Sequence, residues 1–203
     1  VHNECHRSCS RFCHGCDRRC AVSQGLLIDG TAPLSAFELL KRLEDLGIVS
    51  RTFEHDPVFT VEEAKALRGS IEGAHTKNLF VRDKKGTMWL VVALEDRVVD
   101  LRALAEALGH KRFSFGSPQR LMSYLGVIPG AVTPFGVAND VTGAVQIALD
   151  EGLKAFRVWN FHPLDNAMTT AVSPEGMLRF LGAADHAPRW VDIASLQRND
   201  ASG

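Results

Sequence analysis

The stretch "HTKNLFVRDKKGTMWLVVAL", His75 to Leu94, decides the fold. Two strand-like runs, "KNLFVRD" and "TMWLVVAL", flank the charged "KKG", which is the pattern of a β-hairpin with a short turn. The second run is apolar at successive positions, so both of its faces must be buried, and it reads as a central strand covered on both sides. One lysine, Lys77, stands where the glycine-containing loop "IEGAH" enters the first run. A lysine at a strand start is ordinarily a surface residue. The alternative is a fixed cation facing a cleft.

Outward from the hairpin, helices and strands alternate. In "PLSAFELLKRLEDLG", Phe37, Leu40, Leu43 and Leu46 recur at helical spacing, with Ser35 able to cap the start and Gly47 the end. "IVSRTFEH" reads as a strand and "DPVFTVEEAKALRG" as a second helix, with Thr60 and Glu63 in capping-box spacing. Downstream, "DLRALAEALG" and "SPQRLMSYLG" are helices capped by Asp100 and Ser117, and "KRFSFG" is a short strand between them. "AVQIALDEGL", "AFRVWN" and "AMTTAVS" supply strand material, "SPEGMLRFLG" a last helix and "RWVDI" a closing strand. The expectation is an α+β single domain, a mixed, barrel-like β-sheet surrounded by helices, over residues 31–195.

All five cysteines, Cys5, Cys9, Cys13, Cys16 and Cys20, fall in the first 20 residues, together with His2, His6 and His14. Cys13-x-x-Cys16 is half of a zinc site, but no second such pair and no apolar pattern accompanies it. Residues 1–30 are therefore expected to be a disordered or artefactual extension that holds no metal, and 196–203 a tail. A net charge of −1 over 203 residues gives no global attraction for nucleic acid. No apolar run approaches the roughly 20 residues of a membrane-spanning helix. A cysteine-free body fits the cytoplasm.

The body has no Gly-x-Ser-x-Gly elbow, no Gly-Lys-Ser/Thr phosphate loop, no His-Glu-x-x-His and no cysteine nucleophile. Three features remain. The first is Lys77. The second is "GVIPGAVTPFG", Gly126 to Gly136, in which glycines permit close backbone approach and prolines stiffen it, a setting for N–H groups that hold an oxyanion. The third is "NFHPLDNAMTT", where His162 precedes a proline between two strands. Taken singly, each is as well explained as a surface charge, a turn and a structural histidine.

Their order resembles the YbaK family of trans-editing domains, related to the editing insertion of bacterial prolyl-tRNA synthetase. "HTKNLFVRDKKG", "GSPQRLMSYLGVIPGAVTPFG" and "FHPLDNAMTTAVSPEGMLRFL" are most similar to its free-standing ProXp-ala branch. The resemblance runs from about Ser35 to Ile193. It implies the family's fold and a hydrolase that removes alanine mistakenly attached to proline tRNA, without a cofactor. It places the family's lysine on Lys77, its Gly-x-x-x-Pro element on Gly130 and Pro134, and its histidine on His162. Lys77 is then expected to hold the phosphate and ribose of the acceptor end, and His162 to orient the substrate or act as a base. Thr133, Gly136 and Asn78 join the substrate-binding set, with Thr60, Val61 and Met168 as walls of a small alanine pocket.

The implied partner is the acceptor end of proline tRNA, with prolyl-tRNA synthetase open as a second partner and neither membrane nor DNA expected. Lys84 and Lys85 read as a solvated turn, with the acceptor stem as the alternative. Cysteine in place of alanine is an alternative substrate. A non-enzymatic nucleic-acid-binding module, or a scaffold keeping the fold, is the alternative class.

Overall fold

The structure is a computed structural model that describes residues 25–55 and 71–196. The cysteine-rich head, the expected second helix with Thr60 and Val61, and the tail from residue 197 lie outside the described residues.

Eight strands, β1 (Ser50–Glu54), β2 (Ala74–Arg82), β3 (Met88–Leu94), β4 (Ser114–Phe115), β5 (Val145–Asp150), β6 (Trp159–Phe161), β7 (Met168–Val172) and β8 (Arg189–Val191), form one mixed sheet. Its order is β1-β7-β6-β2-β3-β5-β8, with β4 added to β2. β2 and β3 are the expected antiparallel hairpin, in register from Thr76 opposite Leu94 to Arg82 opposite Met88. β3 is central, with parallel β5 on its other side, and six of its seven residues are buried. The path is open, with β1 and β8 at its ends.

Among the described residues four α-helices pack on this sheet: α1 (Ala36–Asp45), α2 (Leu101–Ala107), α3 (Pro118–Leu125) and α4 (Pro174–Ala183). Ser35, Asp100, Ser117 and Ser173 cap them as their sequences predict, and Ser35 with Glu38 completes a capping box. The buried stripe of α1 is Leu39 and Leu43 rather than one containing Phe37, which is 75% exposed. At about 100° per residue Phe37 points away from Leu39, so an equally apolar side chain is left in water.

Strand was expected over more of the region after residue 140 than is found. Asp150 Oδ1 accepts the amide of Gly152 and turns the chain into a 3-10 helix, Glu151–Ala155, where "DEGL" was read as strand. The run "AFRVWN" contributes only its last two residues to β6.

The sheet separates two cores. The larger contains Leu39, Leu43, Phe80, Leu90, Phe135, Trp159, Phe161 and Phe180, and its four buried rings Phe180, Phe135, Phe161 and Trp159 meet in a chain of three edge-to-face contacts. The smaller, under α2, contains Val81, Trp89, Val91, Leu104 and Ile193. Because side chains alternate along β2, Ala74 and Phe80 face the larger core and Val81 the smaller.

Candidate active site

The same alternation sorts the candidate residues. Lys77 has the parity of Val81, and Asn78 that of Phe80, so these sequence neighbours leave β2 on opposite faces. β2 pairs in parallel with β6, Ala74 beside Trp159 and His75 beside Asn160, and continuing that offset brings Lys77 level with His162. Trp159 and Phe161 point into the larger core, which turns Asn160 and, one step beyond the strand, His162 to the face that carries Lys77.

Lys77 is half-buried, and its Nζ donates to the carbonyl of Arg97 in the segment after β3. Arg97 is itself held: its Nε donates to Asp150 Oδ2 at 3.2 Å, and the same oxygen accepts the amide of Leu94 at 3.3 Å. Asp150 is fully buried at the end of β5, so its carboxylate is matched by donors rather than by water. The ammonium of Lys77 is thereby led to one end of the β3 ladder by a fixed carbonyl.

His162 donates Nδ1–H to the carbonyl of Met168 at 2.7 Å, since a carbonyl can only accept. Its Nε2 is left as an acceptor without a partner among the described residues. Burial lowers the pKa of His162 below its usual 6.5, outweighing the opposite pull of the Met168 carbonyl. The ring is therefore neutral at pH 7. Its centroid lies 6.3 Å from that of His55, whose Nε2 is 3.0 Å from Thr169 Oγ1.

On the opposite face of β2, Asn78 Nδ2 donates to Val132 O at 2.9 Å and ties the strand to the Gly130–Pro134 loop. Asn78 Oδ1 is buried with no hydrogen-bond partner among the described residues. Asn160 also keeps a buried, unpartnered Oδ1, while its Nδ2 bonds the carbonyl of Glu72. Buried acceptors without donors are uncommon in proteins; one of these lies on the strand of Lys77 and the other on its neighbour β6.

Within the loop, Gly130 has φ +91°, a left-handed conformation that favours glycine, and a Cβ there would meet open space. Thr133, Pro134 and Gly136 are buried. Thr133 Oγ1 caps the 3-10 helix Pro134–Asn139 by accepting from Phe135 N, and a Cβ at Gly136 would lie 3.0 Å from Leu125 O. What these residues can offer a ligand is backbone. The amides of Ala131, Phe135 and Gly136 are spent on Ile128 O, Thr133 Oγ1 and Thr133 O, which leaves those of Gly130, Val132 and the buried Thr133 without acceptors among the described residues, the first two on residues that reach solvent.

The site thus has a cation and a neutral imidazole level on one side of β2, and an amide and a glycine-bearing loop on the other. Residues 55–180 match the family model for the aminoacyl-tRNA editing domain. The chain belongs to that family. Over 156 residues it is 38% identical to the prolyl-tRNA editing protein ProX of Acetoanaerobium sticklandii, covering 76% of this chain and 95% of that one. It is 37% identical over 156 residues to the prolyl-tRNA synthetase associated domain-containing protein 1 of Mus musculus, covering 74% and 92%. A crystal structure assigned provisionally as a trans-editing enzyme for prolyl tRNA synthetase superposes with a TM-score of 0.62 at 21% identity, over 79% of this chain and 98% of that one, which is a likeness of fold. Family membership makes the chain an enzyme of aminoacyl-tRNA editing.

The sequence left His55, Thr169, Arg97, Asp150 and Asn160 unnamed. Only Asn160 had a local signal, as a polar residue alternating with Trp159 and Phe161 in "WNFH". The others reach the site through pairings across more than fifty residues.

Proposed function

We propose that the protein is a trans-editing deacylase that hydrolyses the ester of alanine on proline tRNA. The support for this is the β2–β6 register, Ala74 beside Trp159 and His75 beside Asn160, whose continuation by two residues would bring Lys77 level with His162. A cation beside a neutral acceptor suits the end of an aminoacylated RNA, whose phosphate needs a positive charge and whose ribose hydroxyl or α-ammonium needs an acceptor. Proline tRNA as the substrate draws support from the name of the Acetoanaerobium relative. Alanine rests on the resemblance to ProXp-ala.

In this reading Lys77 anchors the terminal phosphate and ribose, displacing its ammonium from the Arg97 carbonyl. The ester would cross the Lys77–Asn78 end of β2 to the loop tied to its other face, where the amides of Gly130 and Val132 receive the carbonyl oxygen as it becomes an oxyanion. His162 Nε2 orients the ribose hydroxyl or the attacking water, with Met168 beside it at the alanine pocket. An aminoacyl ester is already reactive, so placement and charge stabilisation suffice without a covalent intermediate. The bond broken is the ester C–O, water supplies the hydroxyl of the released alanine, and the ribose oxygen leaves with a proton. Such an enzyme works in the cytoplasm, where tRNA is charged. Prolyl-tRNA synthetase, whose proline pocket rejects the smaller alanine by only a few kcal/mol, is the source of the error.

The test is deacylation of alanyl- and cysteinyl-proline tRNA by the protein and by Lys77→Ala. Rapid release of alanine, slow release of cysteine, and a folded variant slowed by about 10²-fold, equivalent to ~2–3 kcal/mol of lost charge-assisted binding, are expected. Faster release of cysteine would move the substrate to the alternative amino acid. No release above buffer would overturn the assignment.

A further inference from the structure

The hairpin turn and the segment before β4 are fastened together at the end of β2 far from Lys77. His110 makes the fastening: its Nε2 accepts from Trp89 Nε1 at 3.2 Å, so its Nδ1–H donates to Asp83 Oδ2 at 2.9 Å. That contact brings Lys84 and Lys85 of the turn beside Lys111 and Arg112, all four exposed. None of the four forms an ion pair with a carboxylate among the described residues. Lys111 and Arg112 in turn share a groove of about 610 Å³ with Arg102 at the start of α2. Arg102 lies five residues beyond Arg97, whose carbonyl receives Lys77. Of the acids along this route, Asp83 is engaged with His110 and the Thr87 amide, Asp100 in capping α2, and Glu106 with Arg102 Nε, while the exposed Asp96 lies beside Arg97 and away from the four-cation cluster.

The cations therefore mark a track along β2 that is free of ion pairs among the described residues at its two ends, Lys77 at one and Lys84, Lys85, Lys111 and Arg112 at the other, while Arg97 and Arg102 between them are paired with Asp150 and Glu106. The β2 strand from Lys77 to Arg82 alone spans roughly 17 Å at about 3.3 Å per residue, a length that a few unpaired nucleotides cover. Lysines and arginines spaced beyond the reach of a single small anion match the repeated phosphates of a nucleic-acid backbone. Exposed Phe115, which follows Arg112 by three residues, adds an apolar platform at its edge.

We propose that Lys84, Lys85, Lys111 and Arg112 bind the phosphate backbone of the double-stranded acceptor stem, while the unpaired end of the same RNA runs along the track to Lys77. This rests on the reading of the protein as a tRNA deacylase and adds a second contact surface to it. Backbone contacts of this kind supply affinity without reading sequence.

Two double variants, Lys84→Ser with Lys85→Ser and Lys111→Ser with Arg112→Ser, test it on two substrates: alanyl-proline tRNA and an alanyl ester of the isolated CCA trinucleotide. On the whole tRNA each pair is expected to raise KM about tenfold with kcat kept. The dependence of log KM on log salt should flatten by about one unit for each removed cation that holds a phosphate. On the trinucleotide ester both variants should match the parent. Unchanged KM and salt slope on the tRNA would overturn the proposal. So would equal losses on both substrates, since those place the cations at the reacting end rather than on the stem. Direct titration of an uncharged acceptor-stem hairpin RNA reads the surface without hydrolysis. Binding by the parent that the variants lose keeps the surface even if the deacylase reading fails, and equal binding by all three removes it.

Discussion

His162 and His186 are both largely buried, and each donates Nδ1–H to a backbone carbonyl, of Met168 and Ala184 respectively. They differ at the other nitrogen. His186 Nε2 donates to Asp140 Oδ2 at 3.2 Å, so both of its nitrogens carry protons and the ring is an imidazolium. Burial pulls its basicity down, but the bonds to Asp140 and Ala184 outweigh that and raise its pKa above 6.5. His162 has no such carboxylate, and burial lowers its pKa. One histidine is saturated and charged, the other neutral with an acceptor to spare. What separates a fastener from a candidate ligand group is therefore the second nitrogen, not burial.

Asp140 follows the 3-10 helix of the glycine loop, and its carboxylate also accepts from Val145 N and Thr142 Oγ1. Burial opposes its ionisation, yet the His186 donor, Thr142 and the amides of Val145 and Ala144 hold its pKa at about 2. It joins the loop, the start of β5 and the end of α4.

The largest effect expected from this contrast is on stability. Asp140→Ala leaves a buried cation and an amide unpaired, and should cost about 3 kcal/mol, a fall in Tm of roughly 10 °C by thermal unfolding. The deacylation rate of the folded variant at low temperature should stay within about twofold of the parent. A rate collapse without a fall in Tm would break the distinction between the two histidines. His162→Gln should do the reverse, lowering kcat about tenfold, or ~1.4 kcal/mol, with little change in Tm. The parent's rate should hold down to pH 6.5 and fall below it as His162 takes up a proton, and the variant's profile should lack that fall.

A smaller effect sharpens the same comparison through pH. His186 is more basic folded than unfolded, so its contribution is complete below pH 6.5 and is lost as pH rises through its raised value. Asp140 contributes fully above pH 3.8 and loses its contribution as pH falls toward about 2. Unfolding free energy from denaturant titrations should decline above pH 6.5 in the parent, and the decline should vanish in His186→Gln. The smallest change is expected at Gly130→Ala, where φ is positive but space is open. A loss of about 1 kcal/mol in unfolding free energy is predicted from backbone strain alone.

The hairpin, its central strand and the helix caps were legible because each depends on residues within a few positions of one another: alternation in "KNLFVRD", the continuous apolar run of β3, and Ser35, Asp100, Ser117 and Ser173 before their helices. The shortening of β5 and the exposure of Phe37 were not, because a side-chain bond from Asp150 and the choice of one helix face depend on what packs nearby. Among the candidate residues, chemistry singled out Lys77 and His162 as types, and the family resemblance joined them. Their placement on one face is a matter of the β2–β6 register.

By itself, then, the sequence determined the α+β class, the hairpin at the centre of the sheet and the short inventory of groups able to handle an ester. Tertiary structure decided the rest: that Lys77 and Asn78, adjacent in the chain, serve opposite faces; that His162 keeps a free acceptor while His186 spends both nitrogens; and that the Asp83–His110 contact brings the turn of Lys84 and Lys85 to the segment of Lys111 and Arg112. The physical reason is range. Propensity and capping act over a few residues, whereas register, burial and the partner of a titratable group are fixed by strands brought together from distant parts of the chain.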